Sequence, residues 1–130
     1  MIICMKKRED IQNLEDIKIL VNEFYDSIRK DELLGPIFNS IIKNRWSEHL
    51  EKMYSFWQTV LLEEHTYYGS PFPPHAQMPI EKLHFDQWIK LFSNTVDNYF
   101  QGEKADKAKW QGSRMADMFL FKIEYYRDKE

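Results

Sequence analysis

The chain has 130 residues, a formal net charge of −3 and 30% charged side chains of both signs. This length predicts one domain with one sizeable core. The charge balance gives no reason to expect nucleic acid or an anionic membrane surface as a partner. No apolar run approaches the roughly 20 residues of a membrane-spanning helix, and the opening segment is too short for a signal peptide. With Cys4 as the single cysteine, an internal disulfide is excluded. We expect a soluble, cytoplasmic protein.

The first predicted helix covers residues 14–29. Its apolar residues recur every three or four positions, as on one face of an amphipathic helix: Leu14, Ile17, Val21, Phe24 and Ile28. Gly35 and Pro36 are expected to stop this helix. A tight turn and a short helical piece are expected within residues 33–42.

A second long helix is predicted from about residue 46 to 64. Its apolar residues again follow the helical period: Trp46, Leu50, Met53, Trp57 and Leu61. Asn44 or Ser47 is the expected cap. The stretch YYGSPFPPHAQMP, here called the proline-rich connection (residues 67–79), follows. Because proline disfavours both helix and strand pairing, a stiff, irregular segment is expected, and long irregular connections are often functional.

The third helix is predicted over residues 80–100, with Pro79 opening it and Gly102 ending it. The fourth begins near Asp106 and carries an apolar stripe: Met115, Phe119, Ile123 and Tyr126. No segment has the pattern of a strand. The predicted class is therefore all-α, with four main helices.

Four histidines are the candidates for chemistry. His49 borders the apolar face of the second helix, where a neighbouring polar group would ordinarily satisfy it. His75 lies in the proline-rich connection, His65 in the expected last turn of the second helix, near the helix dipole, and His84 at the start of the third. No close histidine pair, cysteine set or phosphate-binding glycine motif is present.

Two of these imidazoles suggest a cofactor. His75 on an irregular segment and His49 on a helix edge suit a large, flat, apolar group between them, and haem is such a group, because its iron takes an axial imidazole. The many Phe, Trp and Met residues would line its pocket. The same aromatics would serve equally well as the core of a cofactor-free helical interaction module, and both interpretations stay open at this point.

Four blocks, FYDSIRKDELLGPIFN, WSEHLEKMYSFW, PPHAQMP and HFDQWIKLF, resemble in order and spacing the signatures of truncated haemoglobins of the third group. The resemblance runs from about residue 14 to the end. It implies a shortened globin fold, a two-over-two helical sandwich around haem b. The domain would cover residues 1–130, with residues 1–12 as a loosely ordered N-terminal extension.

The resemblance also implies roles for single residues. His75 matches the proximal iron ligand, and Tyr25, His49 and Trp88 match the distal set that stabilises a bound ligand. Their O–H and N–H groups are hydrogen-bond donors. The further cofactor-binding candidates are Phe38, Lys52, Met53, Phe56, Met78 and Phe85, with Lys52 reaching a haem propionate. Ordinary roles stay open beside these: a half-buried tyrosine, a core tryptophan and a solvated lysine.

The function implied is binding of O2, NO and CO at the iron, for redox chemistry on bound O2, NO or peroxide rather than bulk oxygen transport. An NO dioxygenase-like or a peroxidase-like reaction would need an external electron donor or reductase, which the sequence does not name. The alternatives are a haem-based gas sensor that acts through a partner and the cofactor-free module. We expect a monomer or a weak dimer.

Overall fold

The computed structural model describes residues 8–70, 72–76 and 78–128. Five α-helices follow one another along these residues: α1 (Leu14–Lys30), α2 (Gly35–Ile42), α3 (Trp46–Leu62), α4 (Lys82–Tyr99) and α5 (Glu103–Arg127). One turn of 3-10 helix, Pro73–His75, lies in the proline-rich connection. The described residues hold an isolated bridge between Glu9 and Phe100 but no strand, so the all-α prediction is confirmed. None of the helices found there is long and apolar enough to span a membrane.

Helix α1 forms as its sequence predicts. The side chain of Asn13 caps it by accepting a hydrogen bond from the backbone N–H of Asp16. Its apolar face is buried against α3 and α4. The prediction that Gly35 and Pro36 stop it was wrong. The helix ends before them, where the Asp31 carboxylate accepts hydrogen bonds from the backbone of the turn that follows, and the Gly-Pro pair opens α2 instead.

Helix α3 begins at Trp46 as predicted, but its cap and its C-terminal end differ from the prediction. Its N-cap is Arg45, which makes no capping hydrogen bond through its side chain, so the expectation of Asn44 or Ser47 was wrong. The helix ends at Leu62, because Glu63 adopts a left-handed conformation. His65 therefore lies beyond the last turn, where it stacks on Tyr68 with 4.9 Å between ring centroids.

Helices α4 and α5 also begin at other residues than predicted. Glu81 and His84 form a reciprocal capping box, in which Nδ1 of His84 accepts from the backbone N–H of Glu81 at 2.9 Å. Pro79 thus lies outside α4, and the placement of His84 at a helix start is confirmed. Gly102 is the N-cap of α5 rather than the end of α4, and α5 begins at Glu103, ahead of Asp106.

The corner between α4 and α5 depends on Asp10. Gly102 has φ of 146°, and a Cβ there would lie 2.5 Å from Cγ of Asp10, so only glycine fits. Because a glycine N-cap offers no side-chain acceptor, the Asp10 carboxylate accepts from the backbone N–H groups of Lys104 and Ala105, each at 2.9 Å. Ile11 beside it is buried. The described part of the predicted N-terminal extension therefore packs against the domain, while residues 1–7 lie outside the described residues.

The apolar core has two clusters. The larger lies among α1, α3 and α4, and the smaller joins Ile80 and Phe85 to Ala116 and Ile123 of α5. Residues of both clusters line one cavity, so the packing of the helices leaves a space between two apolar walls.

We predict that Asp10→Ala lowers the free energy of unfolding by about 1 kcal/mol at neutral pH, since the first turn of α5 loses its acceptor. Burial opposes ionisation of Asp10, but hydrogen bonds from the backbone of Lys104, Ala105 and Ile11 outweigh it and hold its pKa below the ordinary value. With a depressed folded pKa, this stabilisation is present above the unfolded pKa and is lost as pH falls through the folded pKa.

Urea unfolding of both proteins from neutral pH down to about pH 3 tests this prediction. Asp10→Asn is the matched control, because its side chain keeps an acceptor oxygen but does not titrate. It should lose mainly the pH-dependent part of the stabilisation. Equal stability of the wild type and Asp10→Ala, or a difference that does not narrow in acid, would contradict it.

Candidate functional site

The cavity has a volume of about 790 Å³, within the range of small-molecule and cofactor sites. Helices α1, α2 and α3 contribute one part of its lining, and the proline-rich connection, α4 and α5 contribute the rest. All ten residues to which the resemblance gives a role line it: Tyr25, Phe38, His49, Lys52, Met53, Phe56, His75, Met78, Phe85 and Trp88. His65, a further candidate, is not among its lining residues. The fold therefore brings all ten together around one space.

His49 projects from α3 into a setting of aromatic rings. It meets Tyr25 edge to face, with 4.9 Å between ring centroids, and meets Trp46 in the same way at 5.8 Å. Its Nε2 atom is buried and has no hydrogen-bond partner in the described part of the chain. The ordinary alternative, a histidine satisfied by a neighbouring polar group, is therefore not what the structure contains. A buried polar atom without a partner is costly, and in a cavity wall it is suited to a hydrogen bond with a bound group.

His49 is neutral at physiological pH. Burial lowers its pKa to about 4, and electrostatic interactions with His75 and Lys52 add to the shift. A neutral imidazole has one N–H donor and one acceptor nitrogen. It is thus able to donate a hydrogen bond to a group in the cavity without adding a charge there.

Tyr25 lies on α1 and is 6% exposed. Its ring packs edge to face on Phe24 and Trp46, with centroid distances of 4.9 and 5.9 Å. Burial raises its pKa, so the phenol keeps its proton and remains a donor. The guanidinium of Arg29 covers Trp46 at 4.6 Å from the ring centroid. Trp46 contacts both Tyr25 and His49 and fixes the two rings relative to each other.

Trp88 belongs to a column of stacked rings. It lies parallel to Phe92, with 5.4 Å between centroids and 6° between planes, and Phe92 stacks in turn on Trp57 at 5.1 Å. Phe24 meets Trp88 edge to face at 5.2 Å. Trp88 therefore both fills the core and presents part of its ring to the cavity, and its orientation is fixed by these neighbours.

His75 ends the 3-10 turn of the proline-rich connection. Its backbone N–H donates to the carbonyl of Phe72 at 2.7 Å, and that of Ala76 donates to the carbonyl of Pro73 at 3.2 Å. The ring of His75 packs on Phe119 of α5, with 4.9 Å between centroids. The expected stiffness of this segment thus has a local cause in the turn that carries the histidine.

Helix α5 holds the same connection on both sides of His75. Before it, Phe72 packs on Phe119 with 5.4 Å between centroids, and the ammonium of Lys122 lies 5.0 Å from the Phe72 ring. After it, the guanidinium of Arg127 donates to the carbonyls of Met78 and Ile80 at 3.1 and 2.8 Å. A segment without regular secondary structure is therefore attached to a long helix at several points.

Several cavity residues were missed from the sequence: Arg45, Tyr67, Ile80, Met115 and Phe119. Phe119 and Met115 were seen only as members of an apolar helix stripe, which does not distinguish a core from a cavity wall. Arg45 and Tyr67 had no sequence signal, because nothing local shows that the turns they belong to border the cavity.

The sequence of the chain matches the family model of bacterial-like globins over residues 9–120. This chain belongs to the bacterial-like globin family. It is 34% identical over 111 residues to the group 3 truncated haemoglobin of Campylobacter jejuni, covering 82% of this chain and 87% of that protein. The crystal structure of the group III truncated haemoglobin from Campylobacter jejuni matches with a TM-score of 0.82 at 31% identity, over 90% of this chain and 95% of that one. The resemblance to the third group and the shortened globin fold are both confirmed.

Globins bind haem, and the cavity of this globin fits that cofactor. Its walls are rich in aromatic and apolar side chains, two imidazoles lie on separate elements, and a buried ring nitrogen of His49 lacks a partner among the described residues. The apolar walls suit a flat apolar macrocycle, the imidazoles suit its metal centre, and the ring nitrogen of His49 suits a polar ligand on that metal. We conclude that the chain is a haem-binding globin.

We predict that the depressed pKa of His49 lowers the free energy of unfolding of this globin as pH falls from 6.5 to about 4. Because the folded pKa lies below the unfolded one, the unfolded chain binds a proton in this window that the folded chain does not. His49→Gln should flatten this part of the pH profile of the free energy of unfolding. His65→Gln, at an exposed histidine, is the control. A profile with the same slope in wild type and His49→Gln would refute the prediction.

We predict that Gly112→Ala destabilises the protein by about 1 kcal/mol, although alanine favours helix. A Cβ there would lie 3.1 and 3.2 Å from two atoms of Phe92 and 3.5 Å from Trp88. Phe92 has no room to yield, since it is buried and stacked between Trp57 and Trp88. Denaturant unfolding beside the control Ser113→Ala, at an exposed position of the same helix, checks this. A Gly112→Ala protein at least as stable as the wild type would disprove it.

Proposed function

We propose that this globin binds O2, NO and CO at the iron of haem b, with His75 as the proximal ligand and Tyr25, His49 and Trp88 as the distal donors. The observation that carries the proposal is the buried Nε2 of His49, which has no hydrogen-bond partner among the described residues, in a cavity that His75 also lines. Membership of the globin family favours this function over a cofactor-free interaction module.

His75 suits the proximal role because of how it is held. An imidazole nitrogen is an axial ligand for haem iron, and the 3-10 turn, the Phe119 contact and the attachment of the connection to α5 limit how far this imidazole moves. The ring nitrogen that would bind the iron therefore faces the cavity in a restricted range of orientations.

The distal residues are all neutral donors. Burial raises the pKa of Tyr25 and lowers that of His49, so both side chains stay neutral. The indole of Trp88 has only an N–H to donate. The haem iron, when bound, supplies a site for diatomic ligands and for electron transfer. A charge-assisted hydrogen bond to a ligand with partial negative charge contributes roughly 1.5–3 kcal/mol, which is on the order of tenfold to a hundredfold in affinity.

The remaining cavity residues would hold the cofactor itself. Apolar contacts to its faces are proposed for Phe38, Met53, Phe56, Met78 and Phe85. Lys52 is exposed on α3 and lines the cavity, which supports the proposal that its ammonium binds a haem propionate. Arg45 lines the same cavity, although one nitrogen of its guanidinium already donates to the carbonyl of Ile41 at 3.0 Å.

Strong retention of a polar ligand supports redox chemistry on bound O2, NO or peroxide over bulk oxygen transport. An NO dioxygenase-like or peroxidase-like reaction needs an external electron donor. That donor, the cytoplasmic location and the single domain over residues 1–130 stay predictions.

We predict that Tyr25→Phe and Trp88→Phe each raise the O2 dissociation rate by about tenfold to a hundredfold, because a donor to the bound ligand is lost. CO, which is less polar when bound, should be affected far less. Stopped-flow displacement of O2 by CO gives the rate. Tyr54→Phe is the matched control, since this tyrosine of α3 donates to Asn22 and is not among the residues that line the cavity. Unchanged O2 rates in both distal variants would remove the proposed donor role.

A further inference from the structure

The outer face of α5 carries a second regular pattern. Six residues recur at alternating spacings of three and four, which is the period of a helix–helix seam: Lys107, Trp110, Arg114, Asp117, Phe121 and Glu124. All six are exposed, with Trp110 at 58% and Phe121 at 71%. We call this row the α5 seam. It is distinct from the buried face of α5, which packs on α4.

The charges along the α5 seam have a definite order. Both cations, Lys107 and Arg114, lie in its N-terminal part, and both anions, Asp117 and Glu124, lie in its C-terminal part. Among the described residues, none of the four forms a salt bridge. Arg114 instead lies over the Trp110 ring, at 5.4 Å from its centroid.

This order is self-complementary in one orientation only. If two copies of α5 pack in parallel, each cation faces the same cation. If they pack antiparallel, Lys107 faces Glu124 of the second copy, and Arg114 faces its Asp117. The same register places Trp110 against Phe121 of the second copy, so that aromatic meets aromatic in the layers between the charge pairs. Every layer of the seam then has a favourable partner.

We propose that two copies of this globin form a twofold-symmetric dimer through antiparallel packing of their α5 seams. Such an interface is isologous, because the same surface is used by both subunits. Met118 and Tyr125, which are 43% and 48% exposed, border the seam and widen its apolar part. The seam spans about 26 Å of helix. Two such seams bury less surface than a standard protein–protein interface, so the dimer is weak and reversible.

The dimer does not depend on the ligand chemistry proposed above. The cavity is reached from α5 by Met115, Ala116 and Phe119, none of which belongs to the seam. Loss of the proposed haem function and loss of the dimer would thus be separate results.

Sedimentation velocity of the haem-loaded protein, at concentrations up to about 1 mM, measures the dimer directly. The wild type should dimerise reversibly. Phe121→Ser should raise the dimer dissociation constant by on the order of a hundredfold, since each dimer loses two buried phenyl groups. The matched control is Ile19→Ser, at a 44% exposed apolar residue of α1, and it should leave the constant unchanged.

Charge reversal tests the orientation. Arg114→Asp and Asp117→Arg should each weaken the dimer by about tenfold, because like charges then face each other twice per dimer. The double variant should return the constant to near that of the wild type. Circular dichroism checks that these surface variants remain folded.

Three results would overturn the proposal. A wild type that stays monomeric at every concentration would leave the α5 seam to a partner of another kind. A dimer that tolerates Phe121→Ser would lie on another surface. A double variant as weak as the single ones would exclude antiparallel pairing in this register.

Discussion

The attachment of the proline-rich connection to α5 is the interaction on which the site depends. Proline removes backbone donors, and the backbone hydrogen bonds described within this segment are local ones around His75. Its place is set instead by the Phe72 ring on Phe119 and by the Arg127 guanidinium on the carbonyls of Met78 and Ile80. Because His75 lies between these two anchors, a long helix at the end of the chain determines where the imidazole is presented. This wall of the cavity therefore depends on the packing of α5 on α4.

The other wall is built from rings that hold one another. Trp46 fixes Tyr25 relative to His49, and the stack through Phe92 fixes Trp88. An apolar group that fills the cavity between these rings would gain both transfer and contact energy. The buried nitrogen of His49, which has no partner in the described part of the chain, would also be satisfied by a bound group. Haem binding and folding are therefore expected to be coupled.

Sequence periodicity predicted the existence and type of the long helices, because it reports which face is buried. It also predicted the starts of α1 and α3 at residues 14 and 46, but not the caps or most of the other ends, which depend on partners far away or on local backbone conformation. The cap of α5 is provided by Asp10, and that of α4 by the reciprocal pair of Glu81 and His84. The residues around the cavity were predicted from the resemblance to a family. Periodicity could not identify them, because the residues of a core and those of a pocket wall recur with the same period. Phe119 was missed because its contact with His75 joins two segments remote in sequence.

The central claim is that His75 binds the haem iron in this cavity. Absorption spectra of the purified protein, reduced and then exposed to CO, test it most directly beside a His75→Gly variant measured with and without added imidazole. The account predicts an intense Soret band that shifts with CO in the wild type, altered ligation in the variant, and recovery of the wild-type spectrum when imidazole is supplied. A variant whose spectra match those of the wild type without imidazole, or a folded wild type that takes up no haemin, would contradict it.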